Sequence, residues 1–262
     1  MTAEGGRVAP TPQGVAVVIP AKNEQVRIGA TAKAAATLPG VDLVIVVDDG
    51  STDGTAAAAT GAGAVVVGHS RNRGKAAAME TGAGAVRAIE SRESQRGAQR
   101  ALIFLDGDLE ETAGEAAPLI GPVLEGSVDM TIATLPAQRA AGGGRGFVVR
   151  LAREGIERAT GWTATQPLSG QRCLSREAFD AAVPLAPGFG VEVGLTIDLL
   201  RQGYRLREVD VPFHHRVTGT DWRSQVHRAR QWLHVARALA TRGVSPVRVP
   251  ERLPIPGRGR RR

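Results

Sequence analysis

Over the first half of this chain, short apolar runs alternate with alanine-rich segments of helical length, and few folds accommodate that order. Val15–Ile19, Val41–Val47, Ala64–Val67 and Ala101–Leu105 are unbroken stretches of β-branched and apolar residues, the pattern of strands covered on both faces. Between them, Gln25–Leu38, Asp53–Thr60 and Gly74–Ile89 read as helices. This alternation implies βαβ crossovers and a mainly parallel, Rossmann-like sheet flanked by helices, an α/β fold. A further helix is expected around Ala113–Leu124 and a strand at Asp129–Thr134. The second half is less regular: a glycine-rich loop at Gly142–Gly146, a helix from about Phe147 and a strand near Arg205–Val211.

Composition narrows the classes. With 42% hydrophobic and 23% charged residues in 262, the chain carries enough apolar material for a core, which excludes disorder. The single Cys173, expected in the core, excludes an internal disulfide framework and a cysteine-rich zinc site. No apolar run is long enough to span a bilayer, and Met1–Gly14 lacks the apolar middle of a secretion signal, so a soluble cytoplasmic protein is expected.

The net charge of +7 suggests nucleic acid until it is located. From Arg223 to Arg262 there are 11 Arg and one acid, Glu251, a balance of +10; the rest of the chain therefore carries 7 − 10 = −3. The basicity belongs to the C-terminal end, and no specific nucleic-acid partner is expected. Within that end, Trp222–Thr241 reads as an amphipathic helix with Asp221 as N-cap. Arg223, His227, Arg230, His234 and Arg237 share its solvated face. Trp222, Val226, Ala229, Leu233, Ala236 and Ala240 form an apolar stripe, widened by Trp232, Val235 and Leu239. Residues 242–262 read as a basic flexible tail able to touch anionic lipid weakly, which would place the protein peripherally at the inner membrane face.

In open parallel sheets, ligands bind beyond the carboxyl ends of the strands. There the chain is acidic and polar: Pro20-Ala21-Lys22-Asn23-Glu24 after the first strand, Asp48-Asp49-Gly50-Ser51-Thr52-Asp53 after the second, and Asp106-Gly107-Asp108-Leu109-Glu110 after the fourth. Ser51, Thr52 and Asp53 also suit helix capping. Clustered carboxylates repel unless a cation or hydrogen-bond donors lie between them. The spacing of Asp106 and Asp108 lets both reach one hard divalent ion, Mg²⁺ or Mn²⁺, that also binds phosphate oxygens. Lys75, after Arg71-Asn72-Arg73-Gly74 at a helix start, suits a phosphate, or else is a solvated surface lysine. Gly61-Ala62-Gly63 precedes a strand, so it is not a dinucleotide fingerprint, and Gly68, Gly74, Lys75 and Ala76 break the P-loop spacing.

VVIPAKNE, IVVDDGSTDGT, RGKAAAMETG and FLDGDLEE, in that order, resemble the nucleotide-sugar half of a family 2 glycosyltransferase with the GT-A fold. GGGRG, QPLSGQ, SREAF, PGFGVEVGLTID and HHR are similar to segments of glucosyl-3-phosphoglycerate synthases and their relatives, the likeness running from Val15 to Trp232. The resemblance implies a domain over 15–241, with a nucleotide-sugar half at 15–134 and an acceptor half at 135–241, after a flexible 1–14. It implies that Pro20, Ala21, Asn23, Glu24 and Asp49 surround uridine, that Lys75 approaches the diphosphate, and that Asp106 and Asp108 hold nucleotide and metal. His215 would be a further metal ligand, Gly144 and Arg145 would bind the acceptor, and Glu192 would serve the sugar or the chemistry. Read without the family, His214 and His215 are polar loop residues and Glu192 a helix-facing carboxylate. Phe189 stands where the phosphoglycerate enzymes have Tyr.

The expected activity is metal-dependent transfer of glucose from UDP-glucose to a phosphorylated small acceptor such as 3-phosphoglycerate. Alternatives are transfer to a polyprenyl phosphate at a membrane, nucleotidyl transfer, and a non-catalytic binding protein. A homodimer is compatible with the sequence.

Overall fold

The computed structural model describes residues 12–93, 99–135, 146–213 and 222–245, the last from 222 to 228 by backbone alone. Its strands are β1 (Val15–Ala21), β2 (Val41–Asp48), β3 (Val65–Gly68), β4 (Ala101–Phe104), β5 (Met130–Thr134), β6 (Arg172–Leu174) and β7 (Leu206–Asp210). They form one sheet in the order β3-β2-β1-β4-β6-β5-β7. All neighbours pair in parallel except β6, which runs antiparallel between β4 and β5. One reversed strand keeps the carboxyl ends of β1, β2, β3, β4, β5 and β7 on a single edge.

The helices are α1 (Ile28–Ala35), α2 (Thr55–Gly61), α3 (Lys75–Arg92), α4 (Gly121–Leu124), α5 (Phe147–Thr160), α6 (Arg176–Ala182), α7 (Val191–Arg201) and α8 (Trp222–Ala240). Val15, Val17 and Ile19 of β1 bury one face of the sheet with Ile28 of α1 and Leu119. Ala16 and Val18 bury the other with Met79 of α3, Phe179 of α6 and Leu195 of α7. Alternate residues of a strand point to opposite faces, so an unbroken apolar run is what a doubly covered sheet needs. A Cβ on Gly82 would lie 2.3 Å from Val18 Cγ1, which is how closely α3 lies on β1. A third apolar cluster joins α5, α7 and α8 through Ile156, Ile197 and Leu239. Cys173 is buried, and burial pushes its thiol pKa far above the ordinary range, as suits an unreactive core residue.

Two expectations are corrected and one strand is added. The helix expected at Ala113–Leu124 is a 3-10 helix over Glu110–Leu119 followed by the single turn α4. Pro118 lacks an N–H to donate, and Gly114 and Gly121 weaken helical preference there. Strand β6 went unrecognised, because three residues beginning with an arginine carry no periodic signal. On α8, Val235, Ala236, Ala238 and Leu239 are buried, whereas Ala229, Leu233 and Ala240 of the expected stripe are exposed. His234, assigned to the solvated face, is half-buried and stacks on Phe189, ring centroids 5.7 Å apart. The helix is wedged among α5, α7 and the turn Gly188–Gly190, and three flanking partners bury a different arc from one flat surface. Asp221 lies outside the described residues. Among the described residues no helix is long and apolar enough to cross a membrane.

Candidate active site

Polar groups gather at the carboxyl edge because each buried strand ends in a turn that must satisfy its own backbone. Beyond β1, Asn23 adopts φ 57°, a left-handed conformation that asparagine tolerates. Its N–H donates to Ser51 Oγ at 2.9 Å, and its Oδ1 accepts from Thr52 N at 2.9 Å. The N–H of Glu24 donates to Thr55 Oγ1 at 2.8 Å. Ser51, Thr52 and Thr55 therefore splice the first edge to the second. Pro20 and Ala21 end β1, and the carbonyl of Ala21 accepts from the N–H of Asp49 at 2.8 Å.

Asp49 is buried, and its carboxylate organises the following loop. Oδ1 accepts from Arg73 N and faces His69 Nδ1, both at 2.7 Å; Oδ2 accepts from Gly74 N at 2.8 Å. His69 Nε2 in turn meets Thr81 Oγ1 at 2.9 Å. Burial would raise the pKa of Asp49, but the donors from Arg73, His69 and Gly74 outweigh it and hold it below the usual carboxylate value. Gly50, at φ 71°, lies so close to this loop that a Cβ would sit 2.6 Å from the carbonyl carbon of Arg71. The loop is thus clamped from two sides where it delivers Lys75 to the start of α3.

Lys75 Nζ donates to Asp106 Oδ1 at 2.7 Å and lies 3.1 Å from Glu192 Oε1, drawing together the end of β4 and the first turn of α7. Burial opposes its charge, yet the two carboxylates outweigh that effect and raise its pKa above the ordinary lysine value. Asp106 Oδ2 accepts from Gln171 Nε2 at 2.6 Å. Gly170 presses on the same cluster, since a Cβ there would lie 2.3 Å from Lys75 Nζ. Asp108, two residues on, is exposed. Nearby, burial raises the pKa of Glu24, Arg27 offsets part of that, and the charges of Asp108 and Asp53 add to it. Asp106 is thus engaged by a cation and an amide, and Asp108 stands at the rim near a second carboxylate.

Of the residues singled out in the sequence, Pro20, Ala21, Asn23, Glu24, Asp49, Lys75, Asp106, Asp108 and Glu192 all lie along or against this edge. Gly144, Arg145 and His215 lie outside the described residues. A cavity of about 480 Å³ opens at the ends of β5 and β7 among Thr134, Leu135, Gln166, Asp210 and Pro212, on strands that lead into the segments carrying them. Sequence reasoning missed His69, Thr81, Gly170 and Gln171 as organising residues. QPLSGQ marked the last two as a motif, but nothing in it pointed to Asp106; His69 carried no signal beyond following a strand.

A mainly parallel sheet with this acidic edge defines the GT-A class of nucleotide-sugar folds. The glycosyl transferase family 2 profile matches residues 16–181, and the chain belongs to that family. Glucosyl-3-phosphoglycerate synthase of Mycobacterium tuberculosis is 32% identical over 200 residues, covering 70% of this chain and 60% of that protein. The chain thus spans about three fifths of the length of this curated relative. Glycosyltransferase AglJ of Haloferax volcanii is 30% identical over 219 residues, covering 81% of this chain and 67% of that protein. The M. tuberculosis synthase crystallised with Mn²⁺, UDP and glucosyl-3-phosphoglycerate superposes with a TM-score of 0.69 at 29% identity, covering 88% of this chain and 81% of that one. The same enzyme with Mn²⁺, UDP-glucose and phosphoglyceric acid gives a TM-score of 0.66 at 28% identity, covering 88% and 80%.

Proposed function

We propose that the protein is a metal-dependent glycosyltransferase that moves glucose from UDP-glucose to a phosphorylated small acceptor such as 3-phosphoglycerate. One observation carries this reading: Lys75, at the N-terminus of an 18-residue helix, is held between Glu192 and Asp106, two residues before the exposed Asp108. A cation beside free backbone amides receives a diphosphate, and a nearby carboxylate receives the hydroxyls of a sugar. The crystallised relatives bound to UDP-glucose and phosphoglyceric acid support the same choice.

The donor set suits Mg²⁺ or Mn²⁺. Among the described residues no group of three or more His, Cys, Asp or Glu side chains converges on one point; Asp108 would share a metal with substrate oxygens. Mg²⁺-like ions bind in that way, through one or two carboxylates plus phosphates. Asp108 would hold the ion, with His215 as the further ligand that the family resemblance implies. When bound, it would neutralise charge developing on the departing diphosphate.

The protein's own groups do the rest. Lys75 binds diphosphate oxygens, and Asp106, fixed by Lys75 and Gln171, keeps an oxygen toward the nucleotide. Glu192 orients the sugar. Asp49 accepts the uracil N–H, since a carboxylate has about four acceptor positions and the contacts described above take three. Arg145, after glycines that let an anion approach, pairs its planar fork with the acceptor phosphate beside Gly144.

Purified protein is to be incubated with several nucleotide sugars, a panel of acceptors and Mn²⁺, and the products weighed by mass spectrometry. Glucosylated 3-phosphoglycerate formed only with metal is expected. Equal use of unphosphorylated glycerate would defeat the phosphate-reading role. Release of pyrophosphate with a new nucleotide sugar would replace the reading by nucleotidyl transfer.

A second reading, transfer to a polyprenyl phosphate, is favoured by one surface feature. Phe147 is 62% exposed and Leu233 58%; Phe147 stacks on Trp232, and Arg150 lies 5.6 Å from the Phe147 ring centre. Aromatic and basic side chains together suit a lipid headgroup layer. Salt-sensitive sedimentation with anionic vesicles, lost on deleting Arg258–Arg262, together with transfer to a polyprenyl phosphate, would favour it.

A further inference from the structure

Arg172 heads the large side chains withdrawn from solvent, at 1% exposure, in β6 between Phe104 of β4 and Ile132 of β5. A charge so placed ordinarily has an ionic partner. Here, among the described residues, neutral oxygens surround it instead. Nε donates to the carbonyl of Ser169 at 2.9 Å, Nη2 to that of Pro167 at 3.4 Å, and Nη1 to Thr196 Oγ1 at 2.9 Å. Burial lowers its pKa to about 10, partly countered by the more distant Glu192 and Glu208, so it remains charged at neutral pH.

The acceptors belong to two pieces of the site. Ser169 and Pro167 lie in the loop that presents Gly170 against Lys75 and Gln171 to Asp106. Thr196 is one turn along α7 from Glu192 and donates its hydroxyl hydrogen to the Glu192 carbonyl at 2.8 Å. We propose that Arg172 is a positioning residue: its rigid fork ties the 167–171 loop to α7 and so keeps Gln171, Asp106, Lys75 and Glu192 in mutual register. A planar guanidinium with donors in fixed directions performs this tie, and an ammonium of equal charge does not. Displacements of about 1 Å in such a constellation lower turnover strongly while leaving binding contacts in place. The inference rests on the glycosyltransferase reading of the cluster.

The test compares Arg172→Lys, Thr196→Val and the double variant in the full chain. It measures kcat and KM, UDP affinity with Mn²⁺ by calorimetry, and amide hydrogen exchange at 168–171 and 192–196. Each single variant is expected to lower kcat about ten-fold or more and to change UDP affinity by less than about three-fold. Exchange is expected to rise in both segments together, and the double variant to be no worse than Arg172→Lys, since both cut the same tie. Unchanged exchange in either segment of Thr196→Val, or additive losses in the double variant, overturns the role. Thr196→Val keeps side-chain volume and the buried charge, so it decides the question should Arg172→Lys fail to fold. If the unaltered protein transfers no sugar, the functional reading fails, and exchange still judges Arg172.

Discussion

Asp49 and Asp108 have the same side chain at the same sheet edge, and their surroundings give them different work. Asp49 takes three donors and anchors the loop leading into Lys75. Asparagine there would turn an NH₂ toward an N–H or a ring nitrogen, so Asp49→Asn is expected to cost about 2 kcal/mol at neutral pH. The pKa of Asp49 is depressed on folding, so its contribution is present above the ordinary value of 3.8 and is lost as pH falls through the folded value. Urea denaturation from pH 7 downward should therefore find the gap between the two proteins closing below 3.8; a gap independent of pH would contradict this ion's role. Asp108 is exposed, so its loss should leave stability within about 0.5 kcal/mol. Asp108→Asn is expected to reduce metal-dependent turnover about 100-fold and to weaken Mn²⁺-dependent UDP binding. Calorimetry with and without the ion checks this, and unchanged affinity for the metal would remove the assignment.

At the scale of elements, the turn before α7 decides where Glu192 stands. Gly188 and Gly190 let α8 come within touching distance: a Cβ on Gly190 would lie 2.7 Å from Ala238 Cβ and 2.8 Å from the carbonyl oxygen of His234. His234 Nδ1 accepts from Phe189 N at 3.2 Å, which ties the turn to the same helix by a hydrogen bond. Gly190→Ala must push two backbones apart and is expected to cost about 1–3 kcal/mol, with kcat falling more than donor affinity. Gly84→Ala, inside α3 with nothing within 4 Å of the added carbon, should instead gain up to about 1 kcal/mol. Thermal melts of both variants test the contrast, and equal effects would mean that helix propensity outweighs the close approach.

For the whole molecule, the proposed donor site joins five separate stretches: the ends of β1, β2 and β4, the start of α3 and the first turn of α7. A ligand touching all of them binds only the folded chain. UDP with Mn²⁺ at about 100 times its dissociation constant should add about 2.7 kcal/mol to unfolding, with CDP adding less at the same concentration. Equal melting shifts for UDP, CDP, ADP and GDP would argue against base reading by Asp49.

The sheet was legible because its strands are nearly pure apolar runs, a pattern that admits little besides burial on both faces. The acidic edge was legible for a related reason: loops after buried strands hold few apolar residues, so VVIPAKNE and FLDGDLEE stand out. The antiparallel β6, the face on which α8 packs and the duty of each edge residue were not legible. Those depend on partners distant along the chain, such as Gln171 to Asp106, Arg172 to Thr196 and Gly190 to His234. Periodicity reports how much of an element is covered. Which neighbour covers it, and therefore which carboxylate is engaged and which stays exposed, is decided when strands and helices from both halves of the chain come into contact.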